Sequence, residues 1–260
     1  MTSINTGVSD AITLLHGAYQ AAGQFEALPA SCAPQTVAEA YAIQDGLARK
    51  LWLDEGLRTS SWKVGAPRPG VTPYSAPIPP QRVHDSGARV DTDTFHMIGI
   101  EGELAFRLGR SLAPRAELYS QAEVKAAIGE LCVTIELVDT RLQDWQQAGE
   151  LWRLADNQIN GALVVGNGVT DWQNIELGRQ PVILRFNGEE QANKVGGHPL
   201  GDPTLILTEA VNHLVARNGG LQAGDLITSG TWTGMIFVEP GTEVEVVFPG
   251  IGEARVSLGE

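Results

Sequence analysis

Three glutamates sit inside apolar runs where a charged side chain is rarely found unaccompanied. In IGIEGELAFRL, residues 98–108, Glu101 and Glu103 are one residue apart in an otherwise apolar stretch. On a strand, alternate side chains share a face, so the two carboxylates point the same way while Ile100, Leu104 and Phe106 supply apolar packing around them. Like charges on one surface repel, and desolvating them is costly, unless a cation neutralises them or a carboxyl takes up a proton. A second apolar run, VTIELV at residues 133–138, carries Glu136 in its interior, and Glu is seldom buried without a partner. Three oxygen donors on two such strands are what a hard divalent ion, Mg2+ or Mn2+, requires. The plainer reading of Glu-x-Glu is a solvated sheet face, and Glu136 is the residue that weighs against it.

Lys63 stands between Trp62 and Val64, at a strand end before Gly65. A lysine so placed either carries its ammonium out to water or sits desolvated with a shifted pKa, and the residues alone leave both open. The SGTWTG turn at residues 229–234 combines hydroxyls with exposed backbone NH groups. Asp139 closes the Glu136 strand ahead of Arg141, where a cap or an ion pair to Arg141 is a simpler role than that of a fourth ligand. There is no P-loop, no dinucleotide fingerprint, no Gly-x-Ser-x-Gly elbow and no His/Cys zinc spacing. What remains suits a substrate whose adjacent carboxylate and keto oxygens chelate a metal, because chelation stabilises the negative charge that grows on enolisation.

The elements that must carry these groups can be read in order. Residues 9–24 have apolar positions at helical spacing, and Thr36 with Glu39 reads as a capping box for a second helix reaching about Gly56. His16 falls in the first helix, where it reads as an ordinary surface or core residue. After Arg58 the chain is dense in Pro and Gly, which predicts a short strand and then a long loop to about Val83. Ser120 with Glu123 opens a short helix that returns the chain to the Glu136 strand. The Asn-rich stretch around Asp156, Asn157 and Asn160 reads as a structural turn before an apolar strand. Asn187-Gly188 marks a hairpin, Asp202-Pro203 caps a helix ended by Gly219-Gly220, and the tail is β. Strands dominate beyond residue 60 without regular βαβ alternation, so the fold class is α+β with a mixed or antiparallel sheet core. The expected division is a helical N-terminal segment over residues 1–58 and a catalytic core over 59–260.

Composition narrows the partners. With 31 acids against 18 bases the formal charge is −13, which repels phosphate backbones and anionic membrane surfaces. Nucleic acid and membrane partners are therefore not expected, whereas a metal and local cations can still draw a small anion into a cleft. Cys32 and Cys132 lack metal-ligand spacing and read as reduced, packed thiols. The N-terminus lacks a signal-peptide pattern and no run reaches membrane-spanning length, so a soluble, cytoplasmic protein is expected.

The motifs, taken in order, resemble a known family. WKVG at Trp62, IEGELAF at Ile100, TIELVDTR at Thr134, ADN at Ala155, AGDLITSG at Ala223 and PG at Pro240 look like the 2-keto-4-pentenoate hydratase and 4-oxalocrotonate decarboxylase group of the fumarylacetoacetate hydrolase superfamily. The resemblance spans roughly residues 35–258. It implies a fumarylacetoacetase-like mixed β-sheet core, a β-roll or sandwich, with a helical N-terminal segment. It further implies Mg2+ or Mn2+ as cofactor and a homo-oligomer. By motif position it makes Glu101, Glu103 and Glu136 the metal ligands, Lys63 the catalytic lysine, Ser229 a contact to the substrate carboxylate and Asn160 a substrate-side polar residue. The implied activity is that of a lyase of aromatic-compound catabolism, hydrating 2-hydroxypenta-2,4-dienoate or a similar 2-oxo acid. Decarboxylation of a 2-oxo-enedioate, C–C hydrolysis of an acylpyruvate and an inert binding subunit of the same fold are the alternatives. The chain departs from the family between the lysine and Glu-x-Glu, where a longer loop usually carries an acid/base aspartate. Here no acid precedes Asp85, which leaves Tyr74 and Ser75 in that space, Tyr74 as a substrate contact.

Overall fold

The computed structural model describes residues 6–25, 29–65 and 72–259. Two helices, α1 (Thr6–Ala21) and α2 (Val37–Ala48), lead into β1 (Ser61–Gly65), β2 (Tyr74–Pro77), β3 (Val83–Asp85), β4 (Ala88–Val90) and the long β5 (Gly99–Leu108). Helix α3 (Gln121–Ala127) returns the chain to β6 (Ile128–Val138), and α4 (Glu150–Ala155) precedes β7 (Asn160–Val169). The hairpin β8 (Pro181–Phe186) and β9 (Glu189–Val195) is followed by α5 (Thr204–Asn218), β10 (Leu226–Thr228), β11 (Ile236–Phe237), β12 (Glu243–Phe248) and β13 (Gly252–Leu258).

The strands form two mixed sheets. One runs β2-β1-β10-β5-β6-β7-β3, with β11 added to the end of β5; the other runs β4-β13-β12-β8-β9. Parallel pairs (β1 with β10, β3 with β7, β4 with β13) sit among antiparallel ones, as an α+β fold with a mixed core requires. Alternation along β5 and β6 decides what lies between the sheets. Ile100, Leu104, Phe106, Leu131, Val133 and Ile135 are fully buried in the main core together with Val182, Val244, Val246 and Phe248 of the second sheet. Burying a side chain of this size contributes about 1.5–3 kcal/mol. Gly102 lies on this face too, where an added Cβ would meet Val246 and Thr233 at 3.0–3.2 Å. The opposite face of β5 and β6 carries Glu101, Glu103, Thr134 and Glu136, and beyond them a small cluster of Ala105, Cys132, Leu163, Leu226 and Ile78. Cys132 is a free thiol there, pushed up to about 12 by burial.

The helical segment packs on the strand region through its own cluster. Leu15, Ile43 and Leu47 are fully buried against Leu142, Trp152 and Leu154. From α2, the buried Gln44 side chain donates to the carbonyls of Ser75 and Leu154 and accepts from Arg217.

Two expectations are corrected. The second helix does not continue regularly to Gly56: α2 ends at Ala48 and widens into a π turn, Arg49–Leu53, with Leu57 N donating to Trp52 O. That turn buries Trp52, whose indole donates to Thr59 Oγ1 at 3.0 Å. The Pro-rich stretch is not one long loop. Residues 66–71 lie outside the described residues, but β2 follows and pairs antiparallel with β1, its proline tolerated because β2 is the sheet edge. Ahead of the Asn-rich turn a short helix, α4, forms that no pattern in the sequence announces.

Candidate active site

Register brings the carboxylates together. Glu101 on β5 pairs directly with Glu136 on β6, and Glu103 lies two residues along, opposite Thr134. One oxygen from each of the three carboxylates lies within 4.8 Å of the others. Lys63 joins them from β1, with Nζ 2.7 Å from Glu136 Oε1 and 3.8 Å from Glu101 Oε2. Strands β1 and β6 are three places apart in the sheet, roughly 14 Å if it were flat. Only a sheet curled towards its Glu101 face lets a lysine span that interval.

Burial dominates the electrostatics. It works against the charge on Lys63, yet Glu136, Glu101 and Glu103 outweigh it and hold the ammonium above the usual lysine range. Burial also raises Glu101, partly offset by Lys63. Glu103, fully enclosed, is pushed well above the carboxylate range by burial and then by repulsion from Glu136 and Glu101. Three carboxylates facing one ammonium are under-neutralised. Glu103 Oε1 and Glu136 Oε2 are buried and accept no hydrogen bond, although buried oxygens of this kind almost always do. An all-oxygen donor set with two unclaimed buried lone-pair sites fits a hard divalent cation.

The SGTWTG turn serves these carboxylates. Gly230 N donates to Glu103 Oε2 at 3.2 Å, and hydrogen bonds from the Thr231 and Thr228 side chains favour the ionised forms of Glu101 and Glu103. Ser229 is brought to the same turn but is buried, its hydroxyl accepting from the Trp232 indole at 3.2 Å. Asn160, expected on the substrate side, donates Nδ2 to Glu136 Oε1 at 2.9 Å. It therefore braces a carboxylate from behind. Asp139 ion-pairs with Arg141 at 3.4 Å and accepts from His96 N, so it does not join the cluster.

A cavity of about 290 Å³ opens beside Lys63 and Glu101, with Tyr74, Glu150, Arg153 and Gln158 in its walls. Burial and then the Glu150 charge raise the Tyr74 phenol. The last three wall residues named are ones that sequence reasoning misses. Their signal is faint: α4 is preceded by Gly149, which offers no side-chain cap, and Gln158 lies in a run of three left-handed residues, Asn157, Gln158 and Ile159, at φ 50–56°. A β-branched residue is strained in that region, and the run is pinned by Ile159 N donating to Asp156 O and Asp139 N donating to Ile159 O. Glu150 supplies a carboxylate to the cavity that lacks the expected loop aspartate.

Comparison with known proteins agrees with this architecture. The chain is 28% identical over 234 residues to the 2-keto-4-pentenoate hydratase of Paraburkholderia xenovorans (strain LB400), covering 85% of this chain and 84% of that one. It is 26% identical over 229 residues to a 4-oxalocrotonate decarboxylase of Pseudomonas putida, covering 84% and 83%. Among solved structures, 4-oxalocrotonate decarboxylase from Pseudomonas putida G7, complexed with magnesium and adipate, superposes with a TM-score of 0.84 at 22% identity, covering 96% of this chain and 97% of that one. Residues 65–258 match the model for the C-terminal region of fumarylacetoacetate (FAA) hydrolase, and with three quarters of its length so matched the chain belongs to that family.

Proposed function

We propose that this chain is a divalent-metal-dependent lyase that hydrates 2-hydroxypenta-2,4-dienoate or a similar 2-oxo acid. The observation that carries the reading is the cluster of Glu101, Glu103 and Glu136 within 4.8 Å, with two buried oxygens unclaimed and Lys63 2.7 Å away. The hydratases and the decarboxylase among its relatives support the same class. Glu101, Glu103 and Glu136 would hold Mg2+ or Mn2+, which supplies the positive charge that steadies a 2-oxo acid as its C2 oxygen gains electron density. Lys63 Nζ, held protonated beside Glu136, is the proton donor during ketonisation. Tyr74 walls the cavity as a substrate contact, and Glu150 provides the carboxylate able to take a proton from water. Ser229 and Asn160 act by placement: Ser229 anchors the turn whose Gly230 N meets Glu103, and Asn160 orients Glu136. As the resemblance implies, the chain is proposed to work as a homo-oligomer in aromatic-compound catabolism; Val195 and Phe237 are among the large apolar side chains left exposed by one copy.

The test is spectroscopic. With Mn2+ present, the dienoate absorbance should bleach on adding protein, and Glu103→Gln should slow this by about a hundredfold or more. Carbon dioxide release from an enedioate, without bleaching of the dienoate, would make the chain a decarboxylase instead. Binding with no turnover across a panel of dienoates and 2-oxo acids would leave only an inert binding subunit.

A further inference from the structure

The peptide that links Ser229 to Gly230 meets the carboxylate cluster at one end and a histidine at the other. Its N–H, on Gly230, donates to Glu103 Oε2 at 3.2 Å, and its carbonyl, on Ser229, lies 2.7 Å from His198 Nε2. A carbonyl can only accept, so Nε2 carries the proton, and Nδ1 of the same ring is left to accept from Leu200 N at 3.2 Å. Both partners therefore require one neutral tautomer. Burial, which leaves His198 6% exposed, favours that neutral form by lowering its pKa. His84, His96 and His213 each leave a buried ring nitrogen without a partner, whereas His198 uses both of its own, and the chemistry proposed above gives it no role.

Backbone sterics do not orient the 229–230 peptide. Gly230 has φ +90°, and turning the peptide over would carry it to roughly −90°, which glycine adopts as readily. Space is open as well, since a Cβ on Gly230 would meet nothing nearer than Val64 O at 3.6 Å and His198 Nε2 at 3.8 Å. The turn is fastened to β5 on either side, by Ser229 N to Leu104 O and Trp232 N to Gly102 O, both at 2.9 Å, but neither bond involves this peptide. Turned over, it would aim a carbonyl at Glu103, one acceptor facing another.

His198 is itself held from the second sheet. It lies in residues 196–203, the loop from β9 to α5. Its ring stands 5.5 Å from that of Trp232, which meets Phe248 of β12 edge-on at 5.4 Å. A Cβ added at Gly197 would collide with Trp232 O, so glycine is what lets this loop lie against the turn.

We propose that His198 is a positioning residue of the metal site, which by holding the Ser229 carbonyl keeps the Gly230 N–H aimed at Glu103. The bond it gives the carbonyl also polarises the peptide and strengthens that N–H as a donor. The inference rests on the metal-dependent reading above.

Side-chain reach provides the test. Glutamine carries its amide nitrogen as many bonds from Cβ as histidine carries Nε2, asparagine one bond fewer, and leucine has no donor. In calorimetric titration His198→Leu and His198→Asn should bind Mn2+ about tenfold or more weakly, and His198→Gln should recover most of the affinity. In the metal-free protein the Gly230 amide should exchange with deuterium about tenfold or more faster in His198→Asn, with the Ser229 and Trp232 amides unchanged. The Asn and Gln variants differ by one methylene, so their comparison decides the matter even if the Leu variant does not fold. Glutamine no better than asparagine, or equal acceleration at all three amides, would mean that His198 only packs, and would overturn the inference. Mn2+ affinity unmoved by His198→Asn would overturn it alone, whereas absence of Mn2+ binding by the unaltered protein would overturn the metal reading with it.

Discussion

Glu136 illustrates how much one side chain can be asked to do. Its Oε1 accepts from Lys63 at 2.7 Å and from Asn160 at 2.9 Å, while Oε2 is left with no donor. Two donors on one oxygen restrain the carboxylate and leave the other oxygen unclaimed in the cluster. Groups that orient a metal ligand from behind typically change affinity by about 10–100-fold when removed. Asn160→Ala is therefore expected to weaken Mn2+ binding by about that factor in calorimetric titration, with activity recovering as Mn2+ is raised; an unaltered Kd would mean that Asn160 does not position Glu136. The three glutamates themselves were legible in the sequence, because period-two alternation tells which residues share a strand face. Asn160's true neighbour was not, because a position after a turn says nothing about which way an amide faces.

Elements whose signals are local behaved as the pattern expects. Ser120 and Glu123 close a complete capping box on α3, and Asn187-Gly188 turns the β8–β9 hairpin with both residues at positive φ. Thr36 caps α2, although Glu39 reaches back to Gln35 N and so the box is one-sided. The two elements that were not legible, β2 and α4, lack such signals and are held by tertiary contacts. Arg141 shows how. Buried after β6, it pairs with Asp156 at 2.7 Å and Asp139 at 3.4 Å, donates to the carbonyls of Asp156 and Asn160, and stacks on Tyr19. It therefore ties β6, the end of α4, the left-handed run and α1 together. Removing one partner of such a network strands the other charges without compensation, at about 3–5 kcal/mol. Arg141→Met should lower the stability measured by urea unfolding by about that amount; a loss under ~1 kcal/mol, the range of exposed ion pairs, would show that packing alone holds the segment.

At the scale of the molecule, the feature with the widest consequence is unbalanced negative charge. The chain carries a formal −13, and part of that excess is concentrated in a buried cluster where like charges oppose the compact state. A cation that binds only the folded form stabilises it by mass action, about 2.7 kcal/mol when present at a hundred times its Kd. For a chain of this length that corresponds to an increase in Tm of roughly 5–11 °C. Mg2+ or Mn2+ should raise the melting temperature of the chelator-treated protein by this amount in a thermal-shift experiment, and Glu103→Gln should lose most of the rise. Absence of any metal-dependent shift in the unaltered protein would remove the carboxylate cluster as a metal centre. No helix among the described residues is long and apolar enough to cross a membrane.

The sequence by itself determined the inventory and the local geometry: which acids share a face, where helices are capped, where a hairpin turns, and that strands outnumber helices. These follow from steric and hydrogen-bonding preferences acting over a few residues. Only the tertiary structure decided that Lys63 crosses three strand positions to Glu136, that Asn160 braces that carboxylate, and that α4 brings Glu150 and Arg153 to the cavity. Those facts depend on the order and curl of a sheet built from distant segments, which long-range packing fixes and local periodicity does not encode.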